Sequence, residues 1–243
     1  MKDNLQEGGF FGLVQARRSV RIFDQTEPFD FSAVSRSLEA AVLAPNSSNM
    51  QLWEFHRIKE RSPLKDKLAK LCMGQKAAST ARELVLVVTR RDVWKKRAAA
   101  NYAYISECYK DAEPAKRKRA LSYYRNLVPK LYAWYPLWSP IKRLVAWFVG
   151  LKRPMVREVS ETDVRVSVHK SAALASMTFM YAMKAEGYDT CPMEGFDSKR
   201  VKKLLNLPKS AEINMIIGCG KAAPGGIYGP RFRVPMEDVV VEY

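Results

Sequence analysis

The sequence predicts a single α+β domain over residues 1–243, and three observations carry that expectation. Leu84-Val85-Leu86-Val87-Val88 is a short, continuous apolar run of the kind found in a buried central strand. Val168 to Glu186 is a long, largely apolar helical stretch that stops at Gly187. Between and around them, helical and extended patterns mix without the strict alternation of a doubly wound βαβ fold.

The remaining elements follow from local patterning. Leu13 to Arg18 reads as the end of a helix. Phe31 to Leu43 is amphipathic, with Val34, Leu38, Ala41 and Val42 at helical spacing and Ser32 as a candidate cap. Pro45-Asn46-Ser47-Ser48-Asn49 breaks that helix. Trp53 to Ile58 alternates apolar and polar residues, as a half-buried strand does. Pro63 to Met73 and Lys199 to Leu205 read as helices, Glu212 to Gly218 as a second buried strand, and Val239 to Val241 as a third, short one. The Val168–Glu186 helix is apolar almost all round, so deep burial is expected, in the core or a subunit interface.

Composition excludes several classes. A hydrophobic fraction of 47% supports a core unaided. Met1 to Gly9 has no apolar run, so a secretory signal is not expected and a cytoplasmic location is. Cys72, Cys108, Cys191 and Cys219 form no C-x-x-C pair and, with two histidines, suggest no metal site. His56 and His169 read as structural, and no spacing argues for a nucleophile, so the catalytic list is empty. Gly218-Cys219-Gly220-Lys221-Ala222-Ala223 formally matches G-x-G-x-x-A, but Pro224-Gly225-Gly226 follows instead of a helix. Only 20 residues remain after Ala223, so the dinucleotide reading is rejected.

The net charge of +16 is local. Arg90 to Arg157 holds 17 Lys/Arg against 4 Asp/Glu, and the rest of the chain holds 24 against 21. The same segment carries four of five Trp and seven of eleven Tyr, including the run Leu131 to Trp138 and the run Leu144 to Val149. It reads as an insertion over about residues 92–160. Pro136, Pro140, Lys142 and Arg143 interrupt its apolar stretch, which argues against a transmembrane span. A lid or dimer arm with aromatics inward, a segment lying on anionic lipid, and a polyanion groove all stay open, although nucleic acid is not expected as a partner.

Two basic clusters lie at opposite ends of the chain: Arg17-Arg18-Ser19-Val20-Arg21 and Arg231-Phe232-Arg233. Such clusters suit a phosphorylated ligand, although solvated arginines are the ordinary alternative. Together with Ala44-Pro45-Asn46-Ser47-Ser48-Asn49-Met50-Gln51-Leu52-Trp53 and Pro192-Met193-Glu194-Gly195-Phe196, in this order, they resemble the FMN-dependent nitroreductase family. Asn46 stands where that family usually has Ser, Leu52 where it usually has Pro, and the middle insertion is longer than in its shorter members.

The resemblance implies a central, mostly antiparallel sheet flanked by helices, and a homodimer with FMN at its interface. It implies NAD(P)H as reductant and nitroaromatic, quinone or similar electron-poor acceptors, reduced by a ping-pong mechanism. Arg17, Ser19, Arg231 and Arg233 would hold the FMN phosphate, with Arg18 facing it and Arg21 near the flavin N1 and C2 carbonyl. Pro45, Asn46, Ser47 and Asn49 would form a polar loop at the flavin, although the same residues make ordinary turns in any fold. Gln75 would bond the flavin edge, and Pro192, Glu194 and Gly195 would lie at N5, Glu194 through its amide and Gly195 by close approach. A flavin-fold protein docked on membrane or polyanion through 92–160, and a specialised branch such as reductive dehalogenation, are the alternatives.

Overall fold

A computed structural model describes residues 9–133, 135 and 138–243; Met1 to Gly8 and Trp134, Pro136 and Leu137 of the aromatic run lie outside them. The chain runs α1 (Phe10–Ala16), β1 (Phe23–Asp24), α2 (Phe31–Ala41), β2 (Trp53–Lys59), α3 (Lys65–Leu71), α4 (Lys76–Ser79) and β3 (Glu83–Thr89). It continues with α5 (Trp94–Cys108), α6 (Pro114–Ser122), α7 (Val128–Tyr132), α8 (Trp138–Gly150), α9 (Glu161–Ala185), β4 (Asp189–Met193), α10 (Ser198–Leu204) and β5 (Glu212–Ala222).

All five strands join one antiparallel sheet in the order β1–β5–β3–β2, with β4 on the same side of β5 as β1. β5 is the hub: it pairs Leu84 with Gly218, Cys191 with the same Gly218, and Phe23 with Ala222. Every residue of β3 is buried, because both faces of the sheet are covered. Leu84, Leu86 and Val88 pack with Ile58, Leu68, Ala77 and Met193 on one face. Val85 and Val87 pack with Trp53, Val34, Ala175 and Phe179 on the other. A third cluster joins Met50 and Leu52 to Ala98, Val128 and Tyr132 of the basic 92–160 segment and to Val168.

One buried charge sits in this core. The Glu83 carboxylate is fully enclosed and is gripped by Arg57, which also donates to Ser35 Oγ (2.7 Å) and the Phe31 carbonyl (2.9 Å). The pair ties β2 and β3 to the start of α2, and loss of Arg57 would strand a buried carboxylate.

Three expectations, the third the cap of α2, need correction. The long helix begins at Glu161, ahead of Val168, because its first turn is polar and is closed by a capping box between Ser160 and Asp163. In the single chain it is buried along one side, in keeping with the core part of that expectation, and Leu174 on the other side is 49% exposed. Val239–Val241 is not a strand: a 3-10 turn spans Met236–Asp238 and the following residues are exposed, with no neighbouring strand to pair. Pro192 belongs to β4, which lies outside β5, where a missing N–H is tolerated. The Gly218–Ala222 segment lies in β5, in keeping with the rejected dinucleotide motif. A Cβ at Gly218 would fall 2.6 Å from the Ala77 carbonyl oxygen, and one at Gly220 2.9 Å from the Phe23 ring.

The cap of α2 is Asp30, not Ser32. Asp30 Oδ1 accepts from Ser32 N (2.8 Å) and Ser32 Oγ (2.6 Å), and Arg36 bridges Asp30 to Glu186 at the end of α9. The Ser32 hydroxyl first, then its N–H and Arg36, pull the Asp30 carboxyl down to about 2. A carboxyl depressed by folding stabilises above its unfolded pKa, about 4, and ceases to as pH falls through about 2. Asp30→Ala is therefore expected to lower Tm at neutral pH, with the gap to the parent protein closing as pH falls from about 4 to about 2. Thermal unfolding at several pH values checks this, and a gap that ignores pH would remove the carboxylate from the cap.

Candidate functional site

The two ends of the chain are stitched together by backbone. After α1, residues 17–20 pass alongside β4: Ser19 bridges Thr190 in parallel, and Val20 N donates to the Thr190 carbonyl (3.2 Å). The other edge of this segment is taken by the chain returning from β5. Arg21 N (2.7 Å) and Ile22 N (3.3 Å) both donate to the Gly226 carbonyl, and Ala223 N donates back to Ile22 (3.0 Å). Val20 is fully buried, so its neighbours Ser19 and Arg21 are directed away from the core.

The return path fixes the second basic cluster against the first. Arg231 donates to the carbonyls of Val14, Gln15 and Arg17, at and just beyond the end of α1. Arg18 Nη2 donates to the Gly229 carbonyl at 2.8 Å. The result is a cleft of about 590 Å³ lined by Arg17, Arg18, Ser19, Arg21, Gln75, Lys76, Ala77, Tyr228, Pro230, Arg231, Phe232 and Arg233.

No carboxylate lines this cleft, and among the described residues none of its five arginines enters a salt bridge. Burial holds the Arg17 guanidinium below its ordinary pKa; Tyr181 opposes this, while Arg231, Arg233 and Arg18 add like charge. Such a site gains most from an anion of more than one charge, able to accept several charge-assisted bonds. Phosphate fits that donor set.

Gln75 links the cleft to the end of β4, donating to the Gly195 carbonyl (2.7 Å) and to Cys72 (3.1 Å). Glu194 and Gly195 are exposed there, just beyond Pro192 and Met193. Gly195 is tight: a Cβ would sit 3.2 Å from Gln75 Nε2. Seven of the residues singled out in the sequence thus share one cleft, and Pro192, Glu194 and Gly195 adjoin it through Gln75.

Pro45, Asn46, Ser47 and Asn49 do not line the cleft in the single chain. Their loop carries three non-glycine residues with positive φ: Ser48 (56°), Asn49 (51°) and Gln51 (48°). It is held from outside. Buried Asn101 accepts from Asn49 Nδ2 (2.8 Å) and donates to the Asn49 carbonyl (2.9 Å), Tyr124 donates to the Ser48 carbonyl (3.0 Å), and Ser47 N donates to Ser171 Oγ (3.2 Å). Asn46 Oδ1 accepts from Gln51 N (2.8 Å). Residues of the 92–160 segment therefore support this loop, and none of its described residues lines the arginine cleft of the single chain.

Sequence reasoning missed Lys76 and Tyr228 in the cleft and Asn101 behind the loop. Only Lys76 carried a signal, its place beside Gln75. Both histidines have partners: His169 meets Glu212 Oε2 (3.0 Å) and Asn214 (3.1 Å), and His56 meets Glu54 Oε2 (3.2 Å). All four cysteines are free. Burial pushes the Cys72 thiol up to about 11 and raises Cys191 and Cys219 too, although Arg21 partly offsets it at Cys191. Thiols in that state are poor nucleophiles. No group of three metal-ligating side chains occurs among the described residues.

Fold and cleft together define an α+β protein with a carboxylate-free cleft of five arginines, a donor set that suits a multiply charged anion. The chain belongs to the nitroreductase family: that family's profile matches residues 14–221. Protein DrgA of Synechocystis sp. is 30% identical over 221 residues, covering 88% of this chain and 86% of that protein. Bacillus subtilis MhqN, which carries a provisional NAD(P)H nitroreductase name, is 25% identical over 95% of this chain and 97% of its own. A structure from Exiguobacterium sibiricum solved in complex with FMN superposes with a TM-score of 0.68 at 25% identity, covering 96% of this chain and 97% of that one.

Gly226 is where the stitching has no slack. A Cβ there would lie 2.3 Å from the Ile22 carbonyl oxygen and 2.8 Å from that of Ala223. Gly226→Ala is expected to cost about 1–3 kcal/mol in urea unfolding, the range for forced overpacking, and to speed amide exchange over residues 227–233. Unchanged stability and exchange would mean that the return segment is not held at this point.

Proposed function

We propose that this nitroreductase-family chain is an NAD(P)H:FMN oxidoreductase that reduces nitroaromatic, quinone or similar electron-poor acceptors by a ping-pong mechanism. The observation that carries the reading is the arginine cleft without a carboxylate. The FMN complex of the Exiguobacterium relative and the name of MhqN support the cofactor and the reductant.

Arg17, Ser19, Arg231 and Arg233 hold the FMN phosphate, with Arg18 beside them, each supplying a charge-assisted or hydroxyl donor. Arg21, fixed through its backbone to Gly226, provides a cation on the ring side, where preorganised charge favours the reduced cofactor. Gln75, Pro192, Glu194 and Gly195 would line the flavin's edge, with Gln75 donating to the Gly195 carbonyl at 2.7 Å. When bound, FMN supplies the two-electron chemistry between NAD(P)H and the acceptor. No side chain acts as nucleophile: the histidines are engaged and three of the thiols are buried.

The protein works as a homodimer, with the Pro45–Asn49 loop of each protomer completing its partner's site. Exposed Leu43 (83%), Leu174 (49%) and Phe232 (77%) supply apolar surface for that contact. Unbridged cysteines suit a reducing, cytoplasmic setting.

Anaerobic titration of the FMN-loaded protein with NADH and with NADPH tests the activity. The flavin absorbance is expected to bleach with at least one of them and to return when a quinone is added. A bound flavin that neither nucleotide bleaches would rule out this reductant.

A further inference from the structure

We propose that α8 is a membrane-surface anchor, whose outward face docks on an anionic lipid bilayer without crossing it. The helix is mounted with Ser139, Lys142 and Ala146 inward. Lys142 Nζ lies 3.6 Å from Glu161 Oε1 and donates to the Leu131 carbonyl (3.3 Å). Ser139 Oγ accepts from Glu161 N at 3.0 Å. Arg157 donates to the Ala146 carbonyl at 3.0 Å, and Ala146 is the buried residue of the helix. These contacts set the rotation of α8 about its axis.

In the single chain that rotation leaves Ile141, Leu144, Val145 and Phe148 at 48%, 56%, 51% and 56% exposure, with Trp147 beside them at 53%. Their i, i+3, i+4, i+7 spacing makes one continuous stripe, and Leu151 (63%) extends it beyond the helix end. A helix on a soluble surface ordinarily shows the opposite arrangement, and a contiguous apolar patch marks an interaction face.

Charge selects the occupant. Arg143, Lys152 and Arg153 are exposed around the stripe, within a segment holding 17 Lys/Arg against 4 Asp/Glu. A second copy would bring the same excess of cations to the contact, so this face is poorly matched to itself. A nucleic acid would engage the cations and leave the apolar stripe in water. An anionic bilayer meets both requirements, taking Trp and Phe into the interface and the cations at the headgroups. The 13 residues of α8 span about 20 Å, short of the roughly 30 Å hydrocarbon core. No helix among the described residues is long and apolar enough to cross a membrane.

Vesicle cosedimentation of the full-length protein tests this, independently of the flavin reading. Vesicles of phosphatidylcholine with about 30% phosphatidylglycerol are expected to pellet it at about 0.1 M salt, at least about tenfold better than phosphatidylcholine alone. The double variant Leu144→Glu/Phe148→Glu changes only exposed positions and is expected to lose at least about tenfold in partitioning with an unaltered circular dichroism spectrum. Lys152→Glu/Arg153→Glu is expected to lose binding as well. Failure of the parent protein to pellet with anionic vesicles overturns the proposal, as does undiminished binding by Leu144→Glu/Phe148→Glu. Conversion of a dimer to a monomer by that variant, with no vesicle binding by the parent, would assign the stripe to a second copy.

Discussion

Five arginines must be held around one cleft against their mutual repulsion, and much of the architecture serves that constraint. Arg231 spends its donors on carbonyls around the end of α1, where the helix is weakly negative. Arg18 is tied to Gly229, and Arg21 is fixed by its own backbone rather than by a counter-charge. Because these restraints are backbone contacts, the charges themselves stay available to a ligand. A dianion binding there would relieve the repulsion and tie the chain ends together, so occupancy and stability are linked. The hub strand β5 makes this geometry reachable: it carries β1 and β4 on one side and delivers the chain to Gly226.

What the sequence makes legible follows the range of the forces involved. The β3 run and the helices of residues 31–43 and 199–205 announce themselves by local periodicity, and all three form. The polar start of α9 carries no apolar period, so its onset is invisible until Ser160 and Asp163 are read as a capping pair. β4 escapes because Pro192 argues against a strand unless the strand is known to lie at the sheet edge. At the site, residue type points to the arginines, but only the tertiary path shows that Arg231 and Arg17 meet. The Pro45–Asn49 loop is recognisable by motif, yet its dependence on Asn101, 52 residues further on, is a long-range fact with no local trace.

The 92–160 segment has an inner and an outer side. Its inner side, through Asn101, Tyr124 and the cluster around Val128 and Tyr132, supports a strained loop next to the sheet. Its outer side is the apolar stripe of α8, which contributes nothing to that support. A reductase body carrying an interfacial helix would meet lipophilic acceptors where they are concentrated, which joins the proposed chemistry to the proposed location.

The central claim is that the arginine cleft holds a flavin by its phosphate. The most direct measurement compares the affinity of the cofactor-free protein for FMN with its affinity for riboflavin, which shares the ring system and lacks only the phosphate. With charge-assisted hydrogen bonds contributing about 1.5–3 kcal/mol each, FMN is expected to bind at least about a hundredfold more tightly, with the advantage shrinking as salt rises. Equal affinities for the two would contradict the account and send the arginines back to solvent.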